Sequence, residues 1–426
     1  VLRTLVATSL LRVEVGDVSY YRMPETVRLF ARDQLRLAGT WTDVLRRHDA
    51  ALGASCRELR DDLFGRDASS ARAAVVAEIT DHEAAFDRAL ADRRPVDALA
   101  MAWALGNSWL FSGALAAGVE RLERVLAATA KTRTAERADA LAVGAFLLVY
   151  VQRYADAAAW SGEAVEIHRT TGDDRGLAYA LARRGHAGLL SGDSAGAIAA
   201  LRESLETCER IGDDDGRAWP VTLLAQARLW GGDGGDEVRT MFAEGRRRFL
   251  GMGDTYGQIH ATTFLANLLP PADRGRYFRE ALTLAELPGT DPLIRPLALH
   301  NFAFYVWNQG DRERAREVNR LLGRSALELG ATVYSAMAFL QGAHFAGVVG
   351  EPERAAVLRG AGDRHFTTRL APFWAEQLQP GVDAAARALG EGVYESLHSR
   401  GRGMSVREAT AFLLDRGRTV PGQAIG

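Results

Sequence analysis

Thr171-Gly172-Asp173-Asp174, Ile211-Gly212-Asp213-Asp214 and Met252-Gly253-Asp254-Thr255 are three copies of one turn, and their recurrence decides the fold. A glycine that stops one helix, followed by an aspartate that caps the next, is a short joint between two helices. Weaker echoes stand at Gly289-Thr290-Asp291 and Leu329-Gly330-Ala331. A second set lies half a period away, at Ser112-Gly113, Gln152-Arg153, Ser191-Gly192-Asp193, Gly231-Gly232-Asp233, Gln309-Gly310-Asp311 and Gly350-Glu351. Two turns in each period of about forty residues mean two helices per repeat.

Two antiparallel helices approach closely only where small side chains face each other. Gly106, Ala145, Gly185, Ala225, Ala266, Ala303 and Ala343 mark the first helices of seven repeats. About twelve residues after these come Gly118, Ala157, Ala197, Ala315 and Ala355, on the second helices. Glu237 and Phe278 occupy two of the partner positions, so looser or shifted packing is expected there. A small residue in one helix, a Gly-Asp turn and a small residue in the next resemble the tetratricopeptide repeat, over roughly residues 96–368, although the period exceeds that family's usual length of about 34. The expected fold class is all-α: a tetratricopeptide-like right-handed superhelical solenoid of about seven helix pairs, with a small β-hairpin or winged-helix remnant at the N-terminus. An unrelated α-helical solenoid of the same layout is the alternative.

Before the repeats, Leu10-Leu11-Arg12-Val13-Glu14-Val15, then Gly16-Asp17, then Val18-Ser19-Tyr20-Tyr21 reads as two short strands around a turn. A helix is expected from about Glu25 to Leu37, with Val27, Phe30, Ala31 and Leu35 on one face. The string Tyr21-Arg22-Met23-Pro24-Glu25-Thr26-Val27-Arg28-Leu29-Phe30-Ala31 resembles the end of the winged-helix module in nucleotide-binding regulators of the LuxR and AfsR type, the STAND ATPase regulators. Asp81-His82-Glu83-Ala84-Ala85-Phe86-Asp87-Arg88-Ala89-Leu90 is similar to their linker helix. Ala388 to Tyr394 and Gly401 to Ala409 resemble the tail that often precedes their helix-turn-helix. The resemblance implies a winged-helix remnant over residues 1–40, a helical linker over 41–95, the repeat array over 96–368 and a C-terminal helical tail over 369–426.

The ATPase that such a family carries is not expected in this chain. A P-loop needs Gly-Lys-Ser/Thr, and the single lysine, Lys131, follows Ala130. ATP is thus implied only for a missing upstream domain, and no cofactor is expected here. Too few residues follow Leu414 for a helix-turn-helix, so a DNA-binding half is expected to be absent or on another chain. The start at Val1 without Met points to a fragment or an unusual start codon.

Composition narrows the function. The 426 residues are 47% hydrophobic and 25% charged, enough apolar material for packed domains, but too long a chain for one core. A net charge of −2 and a pI near 6.6 leave no broad positive field, so no direct nucleic-acid partner is expected. The excess of arginine over lysine reads as the mark of a GC-rich genome. Cys56 and Cys208 form neither a disulfide framework nor a metal knuckle, and a cytoplasmic location is expected. No apolar run is long enough to cross a bilayer, so no membrane is expected. The nine histidines include no His-Glu-x-x-His, and no Gly-x-Ser-x-Gly elbow occurs, so neither metal site nor enzyme is expected.

Stacked helix pairs make a concave wall of first helices. By analogy with the tetratricopeptide family, the residue after each small first-helix residue should face the groove: Asn107, Phe146, His186, Gln226, Asn267, Phe304 and His344. His300 and Trp307, about one turn to either side of Phe304, should share that wall, as should Thr222 and Thr263. The binding candidates are therefore Asn107, His186, Gln226, Asn267, His300, Phe304, Trp307 and His344. The alternative is that the His, Asn and Gln side chains bond neighbouring helices. Trp103, Trp109, Trp160, Trp219 and Trp230 read as packing residues between repeats. The expected function is a non-catalytic sensor or scaffold region of a bacterial transcriptional regulator, in which a protein, peptide or small-molecule effector in the groove is coupled to an ATPase and DNA-binding portion elsewhere. The alternative is a free-standing tetratricopeptide-repeat scaffold for protein–protein interaction.

Overall fold

The computed structural model describes residues 1–14, 20–60, 68–112, 114–287, 290–367 and 372–415. The predicted turns at Gly16-Asp17, Gly113 and Gly289 lie outside them. The chain divides into two compact units, Val1–Ser55 and Cys56–Gly426.

In the first unit, helix α1 (Leu2–Ala7) precedes strands β1 (Arg12–Glu14) and β2 (Tyr20–Arg22). The strands pair antiparallel with Val13 opposite Tyr21. Helix α2 (Glu25–Leu37) starts after Pro24, which cannot continue a helix backwards, and Glu25 in its first turn bonds Arg28. The apolar face of α2 is present in sequence but not covered: none of its residues is buried, and Phe30 is 65% exposed. Helix α3 (Trp41–Glu58) follows.

The second unit is all-α among the described residues. Helices α4 (Ala68–Ala77) and α5 (Ile79–Ala91) lead into seven helix pairs. These are α6 (Pro95–Ser112) with α7 (Leu115–Ala128), α8 (Ala135–Tyr150) with α9 (Tyr154–Thr171), α10 (Asp174–Ser191) with α11 (Ser194–Ile211), and α12 (Ala218–Trp230) with α13 (Asp236–Met252). Then come α14 (Thr255–Leu268) with α15 (Pro271–Ala285), α16 (Ile294–Asn308) with α17 (Arg312–Glu328), and α18 (Thr332–Val348) with α19 (Pro352–His365). Each first helix packs on the first helix of the next pair, which makes a continuous inner wall. This is a tetratricopeptide-like superhelical repeat array. Three tail helices, α20 (Pro372–Leu389), α21 (Glu391–Arg402) and α22 (Val406–Leu414), fold back on its last pairs.

The turns work as read. Gly172 and Gly212 adopt φ of +72° and +70°, a left-handed conformation that costs glycine no Cβ clash. The following aspartate then accepts from a backbone N–H three residues on: Asp173 from Gly176 at 2.9 Å and Asp213 from Gly216 at 2.8 Å. Asp193, Asp254 and Asp311 do the same for Gly196, Gly257 and Arg314.

The small-residue register differs in detail. Ala197 meets Gly188, where an added Cβ would stand 3.1 Å from the alanine Cβ, while Gly185 faces Leu201 about one turn along α11. Gly106 instead accommodates Val143 of the next first helix. In the two exceptional repeats, the close approaches fall on Gly245 against Thr222 and on Gly275 against Tyr305. Phe278 is buried against Phe302 and Tyr305. The packing there is shifted, because helices slide until whichever small residue is available sits at the crossing.

The array winds far enough for its inner wall to meet itself. The hydroxyls of Tyr150 on α8 and Tyr256 on α14 hydrogen-bond to each other. Gln152 Nε2 donates to the carbonyl of His365 at 2.6 Å and to Thr332 Oγ1 at 3.2 Å, and Gln152 Oε1 accepts from the N–H of Thr367. Helix α8 is accordingly buried at every position from Arg137 to Tyr150, and α18 is buried over most of its length, as expected of helices with no solvent-facing stripe.

Charge is sorted to the outside. Arginines on one second helix reach carboxylates about one repeat away: Arg121 to Asp87, Arg169 to Glu203, Arg246 to Glu280, Arg248 to Asp214 and, with both carboxylate oxygens at 2.8 Å, Arg316 to Glu351. Two groups lie deeper: Arg137 is buried against Glu163, and in a partly buried cluster Arg60 bonds both Asp139 and Asp173 while His168 lies 3.3 Å from each carboxylate. Burial works against the His168 cation, but hydrogen bonds to the two aspartates outweigh it, so its pKa lies above the ordinary 6.5.

Candidate binding cavity

Where the inner wall closes on itself it leaves a cavity of about 390 Å³. Six first helices contribute to its lining. Val149 and Tyr150 come from α8, His186 and Leu189 from α10, Gln226 and Trp230 from α12, Tyr256, His260 and Phe264 from α14, Leu297 and His300 from α16, and Val333, Tyr334 and Met337 from α18. Phe366 and Trp374 close it from the C-terminal side, and the exposed turn residues Gly192, Ser194 and Gly231 mark its open end.

Among the described residues that line it there is no Asp, Glu, Lys or Arg. The polar groups are aromatic hydroxyls, imidazoles, indole N–H groups, one amide and, at the open end, the Ser194 hydroxyl. His260 Nε2 lies 2.9 Å from Gln226 Oε1, so Nε2 carries the proton and Nδ1 is a lone pair; this Nδ1 is buried and has no hydrogen-bond partner. His186 Nδ1 and Trp230 Nε1 are likewise buried and unpartnered. Buried polar atoms are normally paired, and each unpaired one costs about 1–3 kcal/mol. His300 Nδ1 and Nε2 are in the same state, so five such atoms belong to residues of one wall, an unusual concentration.

Burial disfavours charge on all of these groups. It lowers the His260 pKa to about 3 and that of His300 to about 4, the latter partly offset by Gln341. His186 is lowered well below 6.5 by burial and then by His260 and Arg183. Burial also raises Tyr150, Tyr256 and Tyr334 well above 10, with neighbouring tyrosines adding to the effect. At neutral pH the described lining is polar in places but carries no charge.

The eight candidate residues divide three ways. His186, Gln226 and His300 come together on the cavity. Phe304, Trp307 and His344 form an aromatic cluster covered by the tail: Trp374 of α20 lies 5.4 Å from Phe304 and 4.5 Å from His300, Trp307 stacks on Phe345 at 4.1 Å, and His344 Nδ1 accepts from the N–H of Gly381 at 3.3 Å. Asn107 and Asn267 are engaged within the wall, Asn107 with the Trp103 carbonyl at 2.9 Å and Asn267 with Asn301 at 3.0 Å. Thr222, expected on the groove, instead donates to the Ala218 carbonyl and packs on Gly245. Trp230, expected between repeats, lines the cavity, whereas Trp109 is fully buried beside Phe86.

His260, Tyr150, Tyr256, Tyr334 and Trp374 were not among the candidates. His260 was findable, since it lies two helical turns before Asn267 on the same face. The tyrosines were not, because they meet only through closure between distant repeats. Among the described residues no group of three or more His, Cys, Asp or Glu is placed to hold a metal ion, and no helix is long and apolar enough to cross a membrane.

No family model matches the chain, and no curated protein matches it. Among solved structures, the tetratricopeptide-repeat domain of P58(IPK) is similar at 14% identity, covering 79% of this chain and 98% of that one, with a TM-score of 0.20. The architecture described above rests on the chain's own helix pairs rather than on that likeness.

Proposed function

We propose that this chain is a non-catalytic recognition array that binds a molecule in the hollow enclosed by its first helices. The observation that carries the reading is the convergence of residues from six first helices on one cavity that retains unpartnered polar atoms. Six repeats of wall are a large structure to maintain around an empty space, and a ligand that supplied the missing partners would stabilise the wound form.

The reading has two forms. As a scaffold, the array needs nothing beyond its helix pairs, and protein partners would meet the outer faces of the second helices; this form has the broader support. As a sensor, occupancy would shift the population of wound arrays and so bias an ATPase and DNA-binding portion outside this chain. The support for the sensor form is the order of hairpin, α2, linker helices and array, which resembles ATP-dependent regulators of the LuxR and AfsR type.

Ala227 lines the cavity and is buried, so Ala227→Trp fills it. Mass spectrometry of the small molecules released on denaturing the purified protein should find a species retained by the native chain and absent from a folded Ala227→Trp variant. Identical extracts from both, together with unchanged melting in cell-derived metabolite pools, would remove the cavity from the function. Deleting residues 1–40 from the parent protein and finding regulation unaltered would remove the sensor form.

A further inference from the structure

We propose that the cavity takes an uncharged, mostly apolar molecule of about 10–20 non-hydrogen atoms that donates a hydrogen bond to His260 Nδ1. The inference rests on the recognition reading above and adds the chemical class of the ligand.

Size is the first argument. A cavity of about 150 Å³ suffices for benzene, and this one has about 390 Å³, room for two or three fused rings or an equivalent chain. Charge is the second. Among the described residues the lining offers no carboxylate, ammonium or guanidinium to pair with an ion, and a charge moved from water into such a place is opposed by desolvation. Two ionic groups act on the lining tyrosines from outside the cavity, Arg183 and Asp291. Arg183 lies over the rings of Phe146 at 4.0 Å and Tyr179 at 4.5 Å, and Asp291 accepts from the N–H of Leu293 at 2.8 Å; neither lines the cavity.

The hydrogen bond is the third argument. Gln226 fixes the His260 tautomer through Nε2 and leaves Nδ1 as an acceptor. That atom is buried and unpartnered in a residue only 4% exposed. A hydroxyl or amide N–H on the ligand would satisfy it. A ligand bearing only acceptors would leave it unpaired, and sites built around a buried polar group discriminate strongly on that basis.

The test uses the full chain and four probes on one ring skeleton: 2-naphthol, 2-methoxynaphthalene, 2-naphthoate and 2-naphthylmethylammonium. Dissociation constants come from the quenching of tryptophan fluorescence at pH 7. The expected result is that 2-naphthol binds at least tenfold tighter than each of the others, that His260→Leu brings 2-naphthol and 2-methoxynaphthalene to within about twofold of each other, and that Ala227→Trp abolishes binding of all four. Leu297→Phe, a smaller filler, serves if Ala227→Trp fails to fold. Tight binding of either ion that is lost on filling the cavity would overturn the ligand class and leave the recognition reading intact. Equal affinity for naphthol and its methyl ether in the native chain would overturn the assignment of His260 as acceptor. Probes that bind native and filled chains alike would defeat the recognition reading as well.

Discussion

The inside and the outside of the array solve the same problem in opposite ways. Outside, successive second helices are joined by arginine–carboxylate pairs in water, as between Arg169 and Glu203. Inside, first helices are joined by neutral hydrogen bonds and rings, as between Tyr150 and Tyr256 or Gln226 and His260. Water makes the difference. An exposed pair keeps most of its hydration and gains little, whereas a buried charge must recover a large desolvation cost from its partners. The described cavity lining therefore admits polar atoms but no ions; elsewhere the wall buries ions against partners, as it does Arg137 against Glu163, and one cluster of four groups is the clearest exception to the neutral rule.

That exception, the Arg60, Asp139, Asp173 and His168 cluster, should give the largest effect. Asp139 is 1% exposed, and Asp139→Ala leaves Arg60 and His168 short of a partner in a buried site. The expected loss is about 3–5 kcal/mol, read from urea unfolding of the full chain. A loss under 1 kcal/mol would mean that the cluster is solvated like the outer pairs.

Next is the tail crossing. A Cβ on Gly381 would stand 2.5 Å from the His344 Cα and closer still to its carbonyl oxygen, so Gly381→Val must push α20 off the wall. Overpacking of this kind costs about 1–3 kcal/mol, and Trp374 fluorescence should move to the red as the indole leaves His300 and Phe304.

Titration separates the two regions by sign. His260 and His300 have folded pKa values below 6.5, at about 3 and about 4, so the unfolded chain binds protons that the folded chain does not. Their contribution is fully present above pH 6.5 and is lost as pH falls from 6.5 towards about 4 for His300 and about 3 for His260. His168 is the reverse: its folded pKa is raised, so its contribution is present below 6.5 and is lost as pH rises through the folded value. The melting temperature of His260→Leu should fall less on acidification than that of the native chain. Asp139→Ala should lose less on alkalinisation.

The smallest effect belongs to the outer staples. Arg169→Ala should cost about 0.2–1 kcal/mol, and the difference should shrink in molar salt.

What the sequence disclosed was local. The Gly-Asp turns located helix starts such as Asp174, because glycine and aspartate act within one turn of the chain. The same turns hid a third element: glycines at 176, 196, 216 and 257 lie where a Cβ would strike the capping carboxylate or a neighbouring ring. The register was off at Gly188 because helix pairs settle where side chains interlock, which spacing alone does not encode. The concave candidates His186, Gln226 and His300 were legible from the repeat; Trp374 was not, since nothing in a tail segment announces which wall it will cover. The abundance of arginine, read at first as genomic bias, has a structural use. A planar fork that spans a carboxylate, as Arg316 does, is beyond lysine.

An open solenoid unravels from whichever end is weaker, one repeat at a time, because each unit holds only its neighbours. The tie from Gln152 to Thr332 and His365 connects the end of α8 to the beginning of α18 and the end of α19. Peeling from either terminus would stop at that stitch, so the intervening pairs should melt as one cooperative block whose transition is sharper than its repeat count would suggest.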